Sequence, residues 1–328
     1  MGNVRTQINL DKVRGILLFK LRYIGDVVLT TPSIRLLRNA FRTAHITMVV
    51  NKGTEQVIIH NPFLNQVLTV DNTQGLRNVI TILKEIKRHS YDIAIDFASG
   101  DRAAWLALWS GAGLRIGLAS NEGFRRWLNN IQVHWSGDLH MVELYLKLVC
   151  QVPGLLTHNI EPSDNRLEVF MSPSDIEFAR SLLDKKGYLN KRFIIVHASC
   201  RYNQNSWPNW QWQKLLNNLA VNVVFVGKAQ DDLIIKSIQA GLEIPSVSLA
   251  GETTILQTCA LMQLSKGFIG YDSGPMHLAA AMGIPIVAIF GPKSDPIAWR
   301  PWTPTYLIIY THQSIEQILP QVRSFLGV

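Results

Sequence analysis

An α/β fold with two parallel sheets is predicted by three observations. Short apolar runs alternate with amphipathic stretches along most of the chain, which is typical of repeated strand–helix–strand units. The length of 328 residues exceeds that of one average domain. Two such halves are separated by Pro153, Gly154 and the polar stretch Glu161 to Arg166, which are typical of a linker. We therefore predict two Rossmann-like domains, residues 1–160 and residues 161–313, facing each other across a cleft.

The N-terminal half opens with a strand, a glycine-containing loop and a helix. Residues 16–19 are apolar and suit a short buried strand, and the chain turns at Gly25-Asp26. Apolar side chains at 34, 37 and 41 then share one helical face. Further strands are predicted at 46–50, 67–70 and 91–97, and further helices at 53–60, 76–88 and 140–149. This order predicts a parallel sheet with helices on both faces.

Residues 103–127 are apolar and aromatic and include glycines at 111, 113 and 117. Their spacing, G-x-G-x-x-x-G, departs from the dinucleotide-binding fingerprint, and no acidic residue lies about 20 positions later to bind a ribose hydroxyl. We interpret these glycines as unrelated to dinucleotide binding. The aromatic side chains from Trp105 to Trp127 are expected to pack in the core, because large aromatic side chains are usually buried.

The C-terminal half repeats the alternation of strands and helices. Strands are predicted at 193–196, 221–226, 246–249, 267–271, 286–290 and 308–310, and helices at 174–186, from 208 onward, 233–240, 254–264, 275–283 and 314–326. Ser172 or Ser174 suits the N-cap of the first of these helices, and Gly187 suits its end. A second parallel sheet follows from this order.

Residues 266–292, KGFIGYDSGPMHLAAAMGIPIVAIFGP, combine a strand, a tight turn, a helix and a second strand. Asp272-Ser273-Gly274 supplies turn chemistry, Pro275 suits the first helical position, and Gly283 suits the helix end. The free N–H groups and the dipole at the start of this helix form a seat for a diphosphate at the carboxyl end of a strand. The alternative is that Asp272 and Ser273 only cap the helix, since both residue types are common caps.

The formal net charge of +8 is concentrated in the first half of the chain. Residues 1–162 contain 18 Lys and Arg against 12 Asp and Glu, whereas residues 163–328 contain 14 against 12. A basic half indicates an acidic partner: a nucleic acid, a phosphorylated glycolipid or an anionic membrane surface. The sequence contains no recognised nucleic-acid-binding motif and no basic run, so we expect no nucleic-acid partner.

The remaining composition bears on compartment and chemistry. The first residues lack an apolar signal segment and no apolar run reaches the ~18 residues of a membrane span, so a cytoplasmic protein is expected. Cys150, Cys200 and Cys259 lie far apart, which favours reduced thiols. The absence of metal-binding and nucleophile motifs leads us to expect no metal and no cofactor. Asp26, beside a glycine at a loop-to-helix junction, is either a helix cap or a general base.

Five segments follow one another in an informative order. They are KLRYIGDVVLTTPSIRLLR, HMVELYLKL, VHASCRYNQNSWP, GYDSGPMHLAAAMGIPIVAIFGP and PIAWRPW. Together they resemble the bacterial ADP-heptose:lipopolysaccharide heptosyltransferases, glycosyltransferase family 9, over nearly the whole chain. The first and last segments are most similar to the heptosyltransferase III branch, which adds a branching heptose to the inner core of lipopolysaccharide.

The resemblance implies a GT-B fold and an inverting, metal-independent transfer of heptose from ADP-heptose to the lipopolysaccharide inner core. Asp26 would be the general base that deprotonates the acceptor hydroxyl. The N-terminal domain would bind the acceptor, a phosphorylated lipid A core, in peripheral contact with the cytoplasmic face of the inner membrane. The C-terminal helix, residues 314–326, would pack back on this domain. The acceptor-side positions are Lys20, Arg22, Gly25, Thr30 and Thr31.

The resemblance also assigns the donor to the C-terminal domain, where the start of the helix after Asp272 would stabilise the leaving diphosphate without magnesium. The matching donor-binding positions are Ser199, Arg201, Asn205, Gly227, Lys228, Ala250, Gly251, Asp272, Ser273, Gly274, Pro275, Met276 and His277. One position departs from the family pattern. The family commonly has Lys two residues before the loop tryptophan, where this chain has Asn205. We expect Arg201, or alternatively Lys228, to supply the missing charge.

Two other functions remain open from the sequence. The first is a GT-B enzyme that uses a different nucleotide sugar, either as a transferase or as an epimerase. The second is a catalytically silent module that binds a nucleotide or a glycan, although the presence of Asp26 argues against it. For a transferase, the aromatic stretch from Trp105 to Trp127 has an alternative interpretation as an acceptor-side surface.

Overall fold

The computed structural model describes residues 12–71, 73, 75–98, 100–119, 127–153, 155, 165–200 and 206–328, except the side chains of residues 76 and 77. The chain divides into two compact units, Met1–Glu168 and Val169–Val328. The division lies eight residues beyond the predicted boundary because Glu168 is bound to the first unit. Its Oε2 lies 2.6 Å from Arg35 Nη1, and its backbone N–H donates to the Thr31 hydroxyl at 3.1 Å.

The first unit contains a six-stranded parallel sheet. Its strands are β1 Gly15–Lys20, β2 His45–Asn51, β3 Gln66–Val70, β4 Ile93–Asp96, β5 Leu114–Leu118 and β6 Ile131–Val133. They lie in the order β3-β2-β1-β4-β5-β6. Ile16, Leu17 and Leu18 of β1 are fully buried, as expected for a central strand that is covered on both faces.

Five helices surround this sheet in the described part of the first unit. They are α1 Ile24–Val28, α2 Thr31–Ala40, α3 Gly75–Ile86, α4 Asp101–Ser110 and α5 Met141–Val149, and residues 55–57 form a 3₁₀ turn. Pro32 lies in the first turn of α2, where its missing N–H removes no helical hydrogen bond. His140 caps α5, and its backbone N–H donates to Glu143 at 2.8 Å.

The sequence interpretation missed α4, β5 and β6. The glycines of this segment nevertheless have structural roles that the structure explains. Gly111 ends α4 with a φ of +85°, a left-handed conformation that costs glycine little. A Cβ atom at Gly117 of β5 would collide with the side-chain amide of Asn129. These two glycines therefore permit a helix end and a close approach, consistent with their exclusion as a dinucleotide site.

The expected burial of the aromatic side chains in this segment is wrong. Trp105, Trp109 and Trp127 are 37%, 45% and 71% exposed. On α4 the helical period places the small and aliphatic residues 103, 106 and 107 against the sheet, where they are buried. The two tryptophans of α4 lie outside that inner face, and their side chains are therefore partly exposed to solvent.

The second unit contains another six-stranded parallel sheet. Its strands are β7 Phe193–His197, β8 Asn222–Phe225, β9 Ser246–Ser248, β10 Phe268–Tyr271, β11 Ile286–Phe290 and β12 Tyr306–Tyr310. They lie in the order β12-β11-β10-β7-β8-β9. Every residue of β7, β10 and β11 is buried, which agrees with their continuous apolar runs.

The described part of the second unit contains seven helices. They are α6 Pro173–Lys185, α7 Asn209–Leu219, α8 Asp232–Gln239, α9 Ile255–Leu264, α10 Gly274–Ala281, α11 Pro296–Trp299 and α12 Ile315–Leu326, and residues 229–231 form a 3₁₀ turn. Ser172, Thr254 and Ser314 are the N-caps of α6, α9 and α12, each in a capping box. Gly187 and Gly283, both with positive φ, follow the ends of α6 and α10 as predicted.

The C-terminal helix α12 packs within the second unit, which corrects the expectation that it returns to the N-terminal domain. Ile318 and Val322 are fully buried in the core of the second unit. Arg323 donates through Nε to the Asn218 carbonyl on α7 at 3.1 Å. The apolar face of α12 is therefore covered by its own unit, chiefly by α7 and the adjacent sheet.

Both sheets have the strand order of a Rossmann fold. In each, the chain moves outward in one direction from the first strand and then crosses to the other side for the fourth. The crossover lies between β1 and β4 in the first unit and between β7 and β10 in the second. Ligands of such sheets bind at this point, beyond the carboxyl ends of the strands. Residues just after β1, β4, β7 and β10 therefore lie where ligands of such sheets bind.

Two general features complete the fold. Within the ranges that the structure describes, no helix is long and apolar enough to cross a membrane. No disulfide joins Cys150, Cys200 and Cys259, all of which lie in the described part. Burial raises the pKa of the Cys259 thiol to about 12, so this thiol stays protonated at neutral pH.

Candidate active site

Asp26 lies at the crossover point of the first sheet. It is in the first turn of α1, which follows the loop after β1. Its Oδ1 lies 3.0 Å from the Nζ of Lys20, the last residue of β1. The Asp26 side chain is 14% exposed, whereas that of Lys20 is 3% exposed. Of the two partners, the carboxylate is therefore the one that reaches solvent.

Three elements hold the Lys20 ammonium in place. It donates to the Phe97 carbonyl just beyond β4 at 2.9 Å, and to the Tyr145 hydroxyl on α5 at 2.5 Å. It also lies 4.5 Å from the centroid of the Tyr145 ring, a cation–π contact. Lys20 thus spans the gap between β1 and β4 and presents a fixed positive charge to Asp26. Lys20 was predicted as an acceptor-side position. In the structure it is the buried partner of the Asp26 carboxylate.

Burial governs the electrostatics of this group. Desolvation lowers the pKa of Lys20, while the charge of Asp26, its hydrogen bond and the charge of Asp96 act in the opposite direction. Burial also raises the pKa of Tyr145 well above its usual value, and the negative charge of Asp26 adds to that rise. The Tyr145 phenol therefore stays neutral at physiological pH. The ammonium depends on the two carboxylates for its charge, which couples Lys20 to Asp26 energetically.

The other predicted acceptor-side residues have different environments. Arg22 is exposed at the same sheet edge, with its Nε 3.4 Å from the Ala98 carbonyl. Gly25 is buried in α1. Thr30 and Thr31 are 0% and 1% exposed, and their hydroxyls donate to carbonyls three residues earlier at 2.7 and 2.8 Å. This burial assigns the two threonines to the helix junction between α1 and α2, and leaves Arg22 as the cation that faces solvent.

In the second unit, the described donor-side residues lie at the carboxyl edge of the sheet. They follow β7 (Ser199), β8 (Gly227 and Lys228), β9 (Ala250 and Gly251) and β10 (Asp272, Ser273 and the start of α10). The parallel pairing of these strands brings their carboxyl ends to one edge. Arg201 and Asn205 lie outside the described residues.

The first turn of α10 lacks the side-chain cap that the alternative interpretation required of Ser273. Ser273 is the N-cap residue, but its side chain makes no capping hydrogen bond. Its hydroxyl donates instead to the Tyr271 carbonyl at 3.0 Å. Pro275 occupies the first turn and has no N–H, as predicted. The Ser273 side chain therefore leaves the N–H groups of this helix start uncapped, and the helix dipole favours an anion there.

Three buried polar atoms at this edge have no hydrogen-bond partner within the described structure. They are Nδ1 of His197, the hydroxyl of Ser199 and Nδ1 of His277. His197 and His277 are 8% and 3% exposed. Buried polar groups are nearly always paired, because an unpaired one costs about 1–3 kcal/mol. Unsatisfied atoms at the carboxyl edge of a Rossmann sheet are typical of a site whose partner is a ligand.

Tyr271, directly before the Asp272 turn, was missed as a site residue. Its hydroxyl accepts hydrogen bonds from the Trp207 backbone N–H at 2.6 Å and from the Trp212 Nε1 at 3.1 Å. Burial raises the pKa of this phenol to about 12. Tyr271 thereby joins β10 to the end of the loop that follows β7. The sequence signal was an aromatic residue with a polar tip at the end of an apolar strand.

Three predicted donor contacts have a packing role in the structure. Met276 is fully buried, which turns its side chain away from solvent. A Cβ at Gly227 would come within 2.8 Å of the Asp231 carboxylate, and one at Gly251, where φ is +75°, within 2.8 Å of the Ala229 Cβ. These glycines permit the close turns after β8 and β9. They shape the edge of the sheet on which Lys228 and Ala250 lie.

Two six-stranded parallel sheets of Rossmann order, each with helices, match the GT-B fold of known heptosyltransferase structures. The family model for glycosyltransferase family 9 (heptosyltransferase) matches residues 79–323, and the chain belongs to this family. In the described part of the chain, no group of three or more His, Cys, Asp or Glu residues is placed to hold a metal ion.

Known relatives agree with this assignment. The chain is 27% identical over 306 residues to lipopolysaccharide heptosyltransferase 3 of Escherichia coli K12, with 86% of this chain and 84% of the relative covered. Its fold is similar to that of a family 9 glycosyltransferase from Veillonella parvula, with a TM-score of 0.87, 22% identity and coverage of 98% and 99%. The structure of E. coli ADP-heptose lipopolysaccharide heptosyltransferase II is also similar, with a TM-score of 0.78, 21% identity and coverage of 95% of this chain and 98% of that chain.

The buried histidines predict a loss of stability in mild acid. Burial lowers the pKa of both His197 and His277 to about 4. The unfolded chain binds protons on these side chains from about pH 6.5 downward, whereas the folded chain does so only near pH 4. The free energy of unfolding should therefore fall by about 2 kcal/mol per imidazole between pH 7.5 and 5. Urea denaturation at a series of pH values measures this.

A His277→Gln variant should show a shallower pH dependence than the wild type, because it lacks one of the imidazoles whose pKa burial lowers. His312 is exposed, and a His312→Gln variant serves as the matched control for the same substitution at the surface. An identical pH dependence in wild type and His277→Gln would contradict the assignment of a buried neutral imidazole at this position.

Proposed function

We propose that this enzyme transfers a heptose from ADP-heptose to the inner core of lipopolysaccharide with inversion at the anomeric carbon. The observation that carries the proposal is the Asp26 carboxylate, held by the buried Lys20 at the crossover point of the first sheet and still in reach of solvent. A general base of this kind is what a single displacement by a sugar hydroxyl requires.

The proposed reaction is one displacement. Asp26 accepts the proton of the acceptor hydroxyl while that oxygen attacks the anomeric carbon of the heptose. The bond from this carbon to the diphosphate oxygen breaks, and ADP leaves with the electron pair. Attack opposite the leaving group inverts the anomeric configuration. Lys20 keeps the carboxylate oriented, because its other donors are committed to Phe97 and Tyr145.

The donor is proposed to lie along the carboxyl edge of the second sheet. The relative of known structure whose name includes ADP-heptose has the same fold, which supports this class of nucleotide sugar. The open N-terminus of α10 suits the diphosphate, and the unpartnered Ser199 hydroxyl and His277 Nδ1 suit polar groups of the donor. Such preorganised donors stabilise the charge that develops on the leaving group.

We further propose that the transfer needs no metal ion. The charge of the leaving diphosphate would be met by the α10 N-terminus and by cationic side chains of the second unit, among them Lys228 at the same edge. Transfer measured after exhaustive chelation, and again with added magnesium, tests this statement. Loss of activity on chelation that magnesium restores would contradict it.

The acceptor is proposed to be phosphorylated and anchored at the cytoplasmic face of the inner membrane. Support comes from the excess of 18 Lys and Arg over 12 Asp and Glu in residues 1–162, and from the exposed Arg22 beside the Asp26 edge. A cation at this position can pair with a phosphate of the core while the acceptor hydroxyl reaches the carboxylate.

Arg201 is proposed to supply the donor-binding charge that the family commonly obtains from the lysine replaced here by Asn205. The substitution Arg201→Ala should weaken ADP binding about 10- to 100-fold, since a hydrogen bond to a charged group contributes roughly 1.5–3 kcal/mol. Isothermal titration with ADP measures the change, with Lys228→Ala as the comparison. Unchanged donor affinity in Arg201→Ala would exclude the compensation.

Mass spectrometry of transfer products tests the proposed function directly. The purified enzyme is incubated with a panel of nucleotide sugars and with truncated, deacylated core acceptors. Addition of one heptose from ADP-heptose is the expected result. Transfer of a different sugar would show that the donor is a nucleotide sugar other than ADP-heptose. An epimerised sugar formed without any acceptor, or the absence of turnover with every pair, would overturn the proposal.

A further inference from the structure

Helix α4 presents two tryptophans to solvent. Trp105 and Trp109 are 37% and 45% exposed, one helical turn apart, and their ring centroids lie 5.4 Å from each other at an interplanar angle of 31°. The opposite side of the helix is buried against the sheet. Paired exposed tryptophans form an apolar patch that water solvates poorly, and such patches usually mark a contact surface.

Helix α3 extends this patch with lysines. Lys87 Nζ lies 3.5 Å from the carbonyl of Ser110 at the end of α4, so this side of α3 borders α4. Ile80 and Lys84 precede Lys87 at helical spacing and occupy the same stripe. Ile80 is 54% exposed, and both lysines are exposed. We call Ile80, Lys84, Lys87, Trp105 and Trp109 the tryptophan face.

The charges around the tryptophan face are mainly positive. Arg102 lies on the exposed side of α4 and adds to the two lysines. Among the residues that the structure describes, the acidic groups on these two helices near the face are Asp101 in the first turn of α4 and Glu85 on α3, and Glu85 is paired with Arg88 at 2.7 Å. A surface with this balance attracts an anionic partner.

The combination of residue types selects the kind of partner. Lysine is depleted at protein–protein interfaces, whereas tryptophan is enriched there. At a membrane surface the two occur together, because the indole ring inserts at the headgroup level and the lysine ammonium stays with anionic headgroups. The tryptophan face therefore fits a bilayer surface better than it fits a second protein.

The position of α4 connects this face to the catalytic carboxylate. The helix begins after Gly100, three residues beyond Phe97, whose carbonyl accepts from Lys20 of the Asp26 pair. The start of α4 and the Asp26 group thus share the carboxyl edge of the first sheet, and Trp105 and Trp109 lie about one and two helical turns along α4 from that edge. We propose that the tryptophan face binds an anionic lipid bilayer and holds this edge beside a membrane-anchored acceptor. The inference deepens the proposed function and rests on it for the identity of the acceptor.

Vesicle binding tests the face separately from catalysis. Wild-type enzyme should sediment with vesicles of phosphatidylethanolamine and phosphatidylglycerol, and far less with phosphatidylcholine alone. The double variant Trp105→Gln/Trp109→Gln should bind the anionic vesicles at least about tenfold more weakly, since it loses the apolar area that inserts. The double variant Lys84→Gln/Lys87→Gln should also bind the anionic vesicles at least about tenfold more weakly, because each lysine contributes roughly 1 kcal/mol to the attraction. Trp210→Gln, which removes a 57% exposed tryptophan on α7, is the matched control.

Two transfer assays separate this inference from the proposed function. With a soluble deacylated acceptor, both double variants should match the wild type, which also shows that they are folded. With acceptor embedded in anionic vesicles, their transfer should fall in parallel with binding. Failure of the wild type to bind anionic vesicles, or undiminished binding by the tryptophan variant, would overturn the inference. Intact vesicle binding with no transfer to either acceptor would overturn the proposed function alone.

Discussion

Replacing Asp26 with Asn is expected to lower heptose transfer by about 10²–10⁴-fold, the usual cost of removing a general base. The asparagine has nearly the same shape and still offers an oxygen to the Lys20 ammonium, but it cannot accept the proton of the acceptor hydroxyl. Donor binding should be unchanged, because the proposed donor-binding residues belong to the second unit. Single-turnover transfer and titration with ADP measure the two effects.

The control for this experiment is a second carboxylate at the same sheet edge. Asp101 is exposed in the first turn of α4, and Asp101→Asn should transfer to a soluble acceptor at nearly the wild-type rate. Near-normal turnover of Asp26→Asn would show that the base is another group. A loss of ADP binding equal to the loss of transfer would indicate a structural defect instead.

Replacing Lys20 with Met is expected to destabilise the first unit and to impair catalysis together. The ammonium is 2% exposed and serves Asp26, Phe97 and Tyr145 at once. Removing one partner of a buried ion pair typically costs about 3–5 kcal/mol, because the other charge stays without compensation. We expect about 3 kcal/mol, since Asp26 retains 14% exposure and can be partly hydrated. Chemical denaturation measures the loss.

The catalytic consequence separates a positioning role from general instability. Without Lys20 the Asp26 carboxylate has no fixed orientation, so kcat should fall while the KM for the donor stays unchanged. Tyr145→Phe is the matched control, because it removes one hydrogen bond and leaves the ion pair, at a cost of about 1 kcal/mol. In the double variant Lys20→Met/Asp26→Asn, the two effects on stability should be strongly non-additive. Additive effects would refute the coupling.

The element types of most of the chain could be predicted from local pattern. Short apolar runs marked most of the buried strands, and Ser172, one of two candidate caps, marked a helix start that the structure confirms. The same reasoning failed between residues 101 and 133. There α4 carries aromatic residues on its outer face, and β5 and β6 are too short to show a clear period. Local periodicity carries no information about which face a tryptophan occupies when both faces are apolar.

The domain limits show a similar division. The linker composition placed the boundary near 160, but the ion pair of Glu168 with Arg35, residues far apart in sequence, moves it to 168. The C-terminal helix was expected on the first domain by resemblance. Its apolar face is instead buried in the second unit, against α7. The domain boundary and the position of α12 both depend on contacts between segments that are distant in sequence. Local composition does not predict such contacts.

What the sequence determined by itself was the alternation of strands and helices, the turn at Asp272-Ser273 before a helix, and a carboxylate at Asp26 after the first strand. These are properties of neighbouring residues, and local steric and capping preferences are enough to specify them. The tertiary structure alone decided that Lys20 is the buried partner of Asp26. Its ammonium is fixed by groups 77 and 125 residues away, and only the closing of the sheet and the packing of α5 bring them together.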